Sequence, residues 1–510
     1  MQHAHDDEPA ASAADTPATD PAADPAADPA ADPAADPVTD SAADSAASTP
    51  AAGILSTGTP SDRTPSTSTP ARPATRRARW IDTVAVIAVG VAVLVLSIVV
   101  GRVHTTMTPF DEGVHFDYIV KILDERGLPT VADTLSPETV REIACRGAET
   151  TCDTPLALER IPVAGVNYVL MYAPVYYVLD ASLAVPMKAV TGLSLFESAR
   201  LASSILYALG TALFLAVALR LGAHRGAAVG VVLALSVAPL ALLQGSTISP
   251  DGLAPLFAAG IVWAATLRGP WRRRMFVTVA IAVLAALNKS NFIPLATAGI
   301  WFATVLPVGA QTIATFRADL RRHPMRYVVG IALSVLPLLV QSAWNTWRIA
   351  GRVPGREPDG GLNAIMYTDG SILDAIFAGV RALVQPVHDS GFPASPELWS
   401  VGYLLQALVF GGAFLLALRP QAAADDATRV GGLSATAGIL LSFVFLPVTF
   451  YVLYHSIGTQ SRYGLPLMIF AAIVVVATIR GRIAGWVLGI SGVLVYAHTV
   501  GEALTTSVAP

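Results

Sequence analysis

Long apolar stretches separated by short polar ones run through most of this chain. The first, Ile81 to Val100, has twenty residues, about what a helix rising ~1.5 Å per residue needs to cross a hydrocarbon core. Ten more follow, at about 197–219, 226–245, 251–267, 275–288, 292–308, 327–347, 401–418, 430–454, 464–479 and 484–503. The pattern predicts an all-α integral membrane protein with about eleven transmembrane helices. The pair meeting at Asn288-Lys289-Ser290-Asn291 has short helices. Two polar regions, 103–196 and 348–400, are too long to be plain connectors, and loops of such length are usually functional or disordered. Each holds an apolar run of its own. Asn167 to Val190 carries Tyr168, Tyr172 and Tyr176 at four-residue spacing on one helical face, while Pro174, Asp180, Pro186 and Lys188 discourage a crossing. It is expected to form a juxtamembrane helix. Ile372 to Val384 is expected to form a second surface or re-entrant helix.

Residues 1–79 break the pattern. A four-residue Asp-Pro-Ala-Ala unit repeats from Pro21 to about Asp44, and Ser, Thr and Pro dominate from there to Pro73. So little apolar surface does not offset the entropy of ordering. A disordered, acidic, Pro/Ala-rich tail is therefore expected before a membrane domain at 80–510. No signal-peptide pattern opens it. Arg72, Arg76, Arg77 and Arg79 abut Trp80, which puts the tail in the cytoplasm under the positive-inside rule. The first span then runs outward, making 103–196 and 348–400 extracytoplasmic loops. If Asn167–Val190 does not cross, the later basic clusters all fall inside: Arg268 with Arg272, Arg273 and Arg274; Arg317 with Arg321, Arg322 and Arg326; Arg419 and Arg429; Arg480 and Arg482. The C-terminus is then outside.

Composition agrees with the membrane reading. Of 510 residues 53% are hydrophobic and 14% charged, against about 25% charged in soluble domains, as expected for a multi-pass protein of the cell (plasma) membrane. The net charge of −4 hides an asymmetry. Residues 1–62 contain twelve Asp or Glu and no Lys or Arg; setting those twelve aside from the 37 acids leaves 33 basic residues against 25. That excess fits Arg-rich cytoplasmic loops and offers no soluble basic patch for nucleic acid. Cys145 and Cys152 share the first outer loop. A small disulfide there suits an oxidising compartment, and two free thiols fit the spacing as well; two are too few for structural zinc.

Candidate chemistry collects where the outer loops meet the membrane. Just past the first span lie Asp111, Glu112, His115, Asp117 and Tyr118. Ionisable groups beside lipid are costly unless they face water or a partner. Thr108 as N-cap with Pro109 at N1 would put Asp111 at N3, a structural use for one acid but not for the whole group. Asp251 joins the third and fourth spans, Lys289 the fifth and sixth, and His455 with Thr459-Gln460-Ser461-Arg462-Tyr463 the ninth and tenth. Each has a plain alternative: Asp251 as a cap, Lys289 snorkelling to water, Arg462 with Tyr463 as an interfacial anchor. Together they suit group transfer from a lipid phosphate. Asp111 would take the proton of an attacking hydroxyl, while Arg462 and Lys289 would hold the departing phosphate. A transporter or flippase for a lipid-linked saccharide would use the same charges, but no internal repeat or midplane polar break is evident. A membrane anchor whose acidic tail recruits a cytoplasmic partner is a third class.

Pro109-Phe-Asp-Glu-Gly-Val-His-Phe-Asp-Tyr118, Ala173-Pro174-Val-Tyr176-Tyr177, Ser249-Pro-Asp251, the Lys289 turn and Ser461-Arg462-Tyr463-Gly-Leu-Pro466 together resemble the GT-C superfamily of membrane glycosyltransferases, over about residues 80–480. The resemblance implies an inverting transferase that moves a sugar from a polyprenyl-phosphate donor to an extracytoplasmic acceptor, whether glycan, lipid or protein. It implies Asp111 as base with Glu112 assisting, Arg462 and Lys289 at the donor phosphate, and His115, Tyr118, Tyr176, Asp251 and Tyr463 lining the substrate. His at 115 and Ala at 173 depart from the more usual Arg and Pro. Some members use a divalent metal; Asp111 and His115, four apart, would give two ligands, too few to define a site.

Overall fold

The computed structural model describes residues 76–103, 106–108, 111–131, 133–146, 152, 156–158, 161, 165–306, 313–351, 370–384, 396–418, 426–454 and 460–506. The expected tail disorder, most of the 348–400 loop, Pro109, His455 and Thr459 lie outside them.

The described residues are helical, with one isolated bridge between Thr134 and Val166. Every segment read as a span coincides with a helix. They are α1 (Arg76–Val103), α5 (Leu195–Arg220), α6 (Arg225–Ser236) with α7 (Pro239–Ser246), α8 (Ala254–Ala265), α9 (Trp271–Asn288), α10 (Ile293–Val305), α12 (Pro324–Ala350), α14 (Pro396–Leu418), α15 (Asp426–Tyr454), α16 (Leu465–Ala477) and α17 (Arg482–Thr506). Between them lie α2 (Glu112–Glu125), α3 (Pro137–Arg146), α4 (Val175–Thr191), α11 (Ile313–Arg322) and α13 (Ile372–Val384). Among the described residues five helices can cross a membrane by length and composition, or six when α6 and α7 are taken as one broken span. Their outward faces are apolar. Ile87, Val91 and Val95 on α1 recur every four residues and are more than half exposed, as on a lipid-facing helix.

Two expectations change. The segment read as one span at 226–245 bends by 70° between α6 and α7. Pro239 cannot donate to the ladder and drives Ala238 out of the helical region, to ψ 130°. Asn167–Val190 is not one helix. A 3-10 turn, Tyr168–Met171, precedes an extended Tyr172, and α4 begins only after Pro174. The three tyrosines therefore share no face, and each has a different task. The helix expected at 372–384 is α13, which packs on α15 and on the turn carrying Arg462.

Close packing fixes the bundle. α6 and α17 meet through glycines: a methyl on Gly230 would lie 2.0 Å from the Leu488 carbonyl, and one on Gly492 2.1 Å from that of Gly230. Small residues permit such backbone approach between apolar helices. α1 runs antiparallel to α5, with Arg200 Nη1 donating to the Gly101 carbonyl (2.9 Å) near one end and a methyl on Gly90 meeting Ala212 Cβ at 3.2 Å further along, while Asp82 accepts from Arg225 at the start of α6. Cys145, in the last turn of α3, is joined by a disulfide to Cys152.

Candidate active site

Three short helices, α8, α10 and α16, start with the same device. Each follows a 3-10 turn, at Pro250–Leu253, Ser290–Phe292 and Ser461–Gly464, and each carries Pro at its second position: Pro255, Pro294 and Pro466. Proline there costs no helical bond, and the tight turn shortens the apolar stretch by one polar step. Asp251 and Arg462 sit in these turns, and Lys289 immediately before the other. Shortened helices thus leave room for charged groups at the bundle rim.

Asp111 approaches from the first loop. It stands at the N-cap of α2 in the left-handed region (φ 63°, ψ 8°) and makes no side-chain capping bond. Asp is one of the few side chains that enter this region without large cost. The expectation of Thr108 as N-cap is overturned: its amide instead donates to Glu112 Oε2 (3.0 Å). Freed from capping, the Asp111 carboxylate accepts from Arg462 Nη2 at Oδ2 (2.6 Å) and from the Tyr168 hydroxyl at Oδ1. Arg462 Nε lies 3.5 Å from Asp251 Oδ2. Asp251 in turn accepts from Lys289 Nζ (2.8 Å) and Asn291 Nδ2 (3.0 Å). Lys289 and Arg462 both lie over the Tyr463 ring, 5.0 and 5.8 Å from its centroid.

The result is an alternating row, Asp111–Arg462–Asp251–Lys289, with no net charge. Burying each ion alone would cost several kcal/mol, so the row persists through mutual pairing and added hydrogen bonds. Asp251, Lys289 and Arg462 are buried, whereas the Asp111 side chain is 22% exposed. Asp111 is thus the member a substrate can reach. Burial alone would raise its carboxyl pKa, but the Arg462 guanidinium, with the Tyr168 hydroxyl and the Lys289 ammonium, lowers it to about 2.

His115 donates its backbone N–H to the Asp111 carbonyl (3.0 Å) in the first turn of α2. Its ring Nδ1 lies 2.8 Å from the Tyr177 hydroxyl, and Nε2 is buried with no partner among the described residues. Burial first, then the nearby Lys289, pushes its pKa down to about 3, so the imidazole is neutral at physiological pH. Among the described residues no group of three or more His, Cys, Asp or Glu could hold a metal ion. Asp111 and His115 remain a pair.

Glu112 faces a different set of partners. Arg200 Nε and Nη2 donate to its two oxygens, both at 2.7 Å, and the amides of Ile248 (3.1 Å) and Thr108 complete the cage. With all its acceptor positions filled, Glu112 ties α2 to α5 and to the end of α7, and so holds Asp111 in place. Asp117 does similar work, accepting from the Ser136 amide and Asn167 Nδ2, each at 2.7 Å. Arg200→Gln is expected to destabilise the fold by about 3–5 kcal/mol, because it leaves a buried carboxylate without its charge partner. Thermal unfolding in detergent measures it; an unchanged midpoint would contradict the role.

Tyr118 and Tyr176, expected to line the substrate, stand outside the charged row. Tyr118 is buried, stacks on Tyr177 at 3.9 Å and donates to the Tyr172 carbonyl (2.8 Å). The Tyr176 hydroxyl is 2.7 Å from Ser203 Oγ, which donates to Asp180. Both phenols spend their polar end on protein, because α2 and α4 turn those faces towards each other and α5. Sequence reasoning missed Tyr168, Arg200 and Asn291. The repeated x-Pro-Leu at each turn was the available signal for Asn291; Arg200 is the only basic residue in the apolar body of its span.

No protein-family model and no curated protein matches this chain. Among solved structures it is similar to ArnT from Cupriavidus metallidurans. The undecaprenyl phosphate-bound crystal structure matches at 15% identity and a TM-score of 0.44, over 82% of this chain and 64% of that one. The apo structure gives the same identity and TM-score over 83% and 64%. The chain therefore spans about 64% of the length of the ArnT chains it matches. At this identity and TM-score the likeness does not place the chain in a family.

Proposed function

We propose that this protein is a GT-C-type membrane glycosyltransferase, moving a sugar with inversion from a polyprenyl-phosphate donor to an acceptor hydroxyl on a glycan, lipid or protein. The observation that carries the reading is the partly exposed Asp111 carboxylate held by Arg462, with Lys289 in the same row. The acceptor oxygen forms its bond to the anomeric carbon as the bond from that carbon to the phosphate oxygen breaks. The acceptor proton passes to Asp111, and the developing charge on the departing polyprenyl phosphate is taken up by Arg462 and Lys289. On the charge asymmetry of the loops, the site opens to the exterior of the plasma membrane and the acidic tail lies inside.

Arg462 has two anions to serve. A carboxylate held near pKa 2 is a poor base, since efficient general bases titrate closer to the working pH. The donor phosphate, on arrival, draws the guanidinium from Asp111 and so restores its basicity. This predicts two pH profiles of different shape. kcat/KM, which reports the free enzyme, is flat from pH 8 down to about 4, because Asp111 stays ionised throughout. kcat, which reports the substrate complex, falls on an acid limb near the ordinary carboxylate value of about 4 or above. Coincident limbs would remove the exchange from the mechanism.

To test the function itself, purified full-length protein in lipid is supplied with a panel of polyprenyl-phosphate sugars. Release of polyprenyl phosphate and the anomeric configuration of the product are followed. Transfer with inversion is expected for one donor class; translocation across vesicles with no new glycosidic bond would replace the enzyme reading with a transporter.

A further inference from the structure

At the end of the bundle far from Asp111, a cavity of about 830 Å³ lies between the start of α1, the end of α5 and the segment after α8. Three arginines from three separate parts of the chain line it: Arg79, Arg220 and Arg268. One acid lines it, Asp82, and its carboxylate is taken by Arg225. Arg220 donates to the Thr266 carbonyl (2.7 Å), which fixes the segment after α8 against α5. Arg268 is exposed and makes no ion pair among the described residues. Deeper in, the wall turns apolar, with Val86, Ile87 and Leu219. Ile87 is 60% exposed and belongs to the lipid-facing stripe of α1. Lower down, the groove between the helices closes, where a methyl on Gly90 would meet Ala212 Cβ at 3.2 Å.

We propose that this cavity is a binding site for an anionic membrane phospholipid, its phosphate among Arg79, Arg220 and Arg268 and its acyl chains along the apolar groove of α1 and α5. The surplus of positive charge is local: four arginines, counting Arg225, against one aspartate. Ordinary positive-inside arginines stand singly in water and snorkel; these three close on one cavity with an apolar floor open to lipid. Guanidinium groups suit a phosphodiester through paired, charge-assisted bonds, and basic pockets between transmembrane helices take such head groups. The occupant would clamp α1 to α5 at the end opposite the candidate active site. The site is independent of the transferase reading, since its test measures binding and not turnover.

Native mass spectrometry of the full chain, titrated with phosphatidylglycerol, phosphatidylcholine or inorganic phosphate, tests it. Phosphatidylglycerol is expected to bind at least about five-fold more tightly than phosphatidylcholine, and inorganic phosphate not to compete. Arg268→Gln, a change at an exposed residue, is expected to weaken phosphatidylglycerol alone by about five-fold, the effect of one basic residue near a membrane surface. Adding Arg220→Gln should erase the preference while thermal unfolding shows the fold intact. Equal binding of the two lipids, or a preference untouched by both substitutions, overturns the proposal. Competition by inorganic phosphate makes it an ion site instead of a lipid site. A preference that emerges only when residues 1–70 are removed gives the cavity to the acidic tail, and overturns it as well.

Discussion

Asp111→Asn is expected to lower the rate of sugar transfer by about two to four orders of magnitude, the usual contribution of a general base. The amide keeps the size of the side chain; its oxygen can accept from Arg462 while its N–H donates to the Tyr168 hydroxyl, so the approach of the first loop to the Arg462 turn should survive. What disappears is the capacity to take a proton from the acceptor. KM for the donor should change less than kcat, since the donor phosphate is assigned to Arg462 and Lys289. The substitution also removes one negative charge from a balanced row, leaving the buried Arg462 and Lys289 facing Asp251 alone. An excess of positive charge favours an incoming phosphate, so donor binding is expected to hold or tighten. Steady-state kinetics with a varied donor separates these effects. A variant with wild-type kcat would remove Asp111 as base, and one with kcat intact but donor KM raised would make it a binding residue.

Much of this was legible in the sequence, for reasons that differ by element. The helices at 197–219 and 372–384 were found because their apolar runs end at sharp polar boundaries, which α5 and α13 follow to within a few residues. Asp251, Lys289 and Arg462 stood out because charge at a span boundary is costly and so calls for a partner; the structure makes Asp251 the partner of both cations. Sequence spacing was misleading where geometry depends on a break. The i, i+4 tyrosines looked like a stripe only on the assumption that Tyr168–Tyr176 is one continuous helix, and Pro174 with the extended Tyr172 removes that assumption. Tyr168 is thereby aimed at Asp111, while Tyr176 faces Ser203. The Glu112–Arg200 pair was out of reach for another reason. It spans 88 positions, and nothing local distinguishes an arginine inside a span that pairs with a loop acid from one that meets a different partner. Counting spans by hydropathy also could not separate long crossing helices from α8, α10 and α16, whose first turns are given over to the polar row.

Arg462→Met should be the most damaging single change for both stability and activity. Arg462 is the hinge of the row: Nη2 lies 2.6 Å from Asp111 and Nε 3.5 Å from Asp251. Removing it leaves two carboxylates with only Lys289, paired to Asp251, to offset them and net neutrality lost, and breaking a buried pair in this way costs about 3–5 kcal/mol. Arg462→Lys separates charge from geometry. The ammonium restores neutrality but cannot span both carboxylates, because its donors radiate from one atom whereas the guanidinium carries them on a planar fork. Arg462→Lys is therefore expected to recover most of the stability lost in the methionine variant, yet to remain at least about tenfold slow, since a point charge cannot bond to Asp251 while releasing Asp111 to a phosphate. Combining it with Asp111→Asn gives the decisive measurement. If Arg462 acts by serving the base and the departing phosphate as one unit, the double variant will be scarcely slower than Asp111→Asn alone. Losses that multiply would mean that the two residues contribute separately and that the exchange of Arg462 between carboxylate and phosphate does not occur.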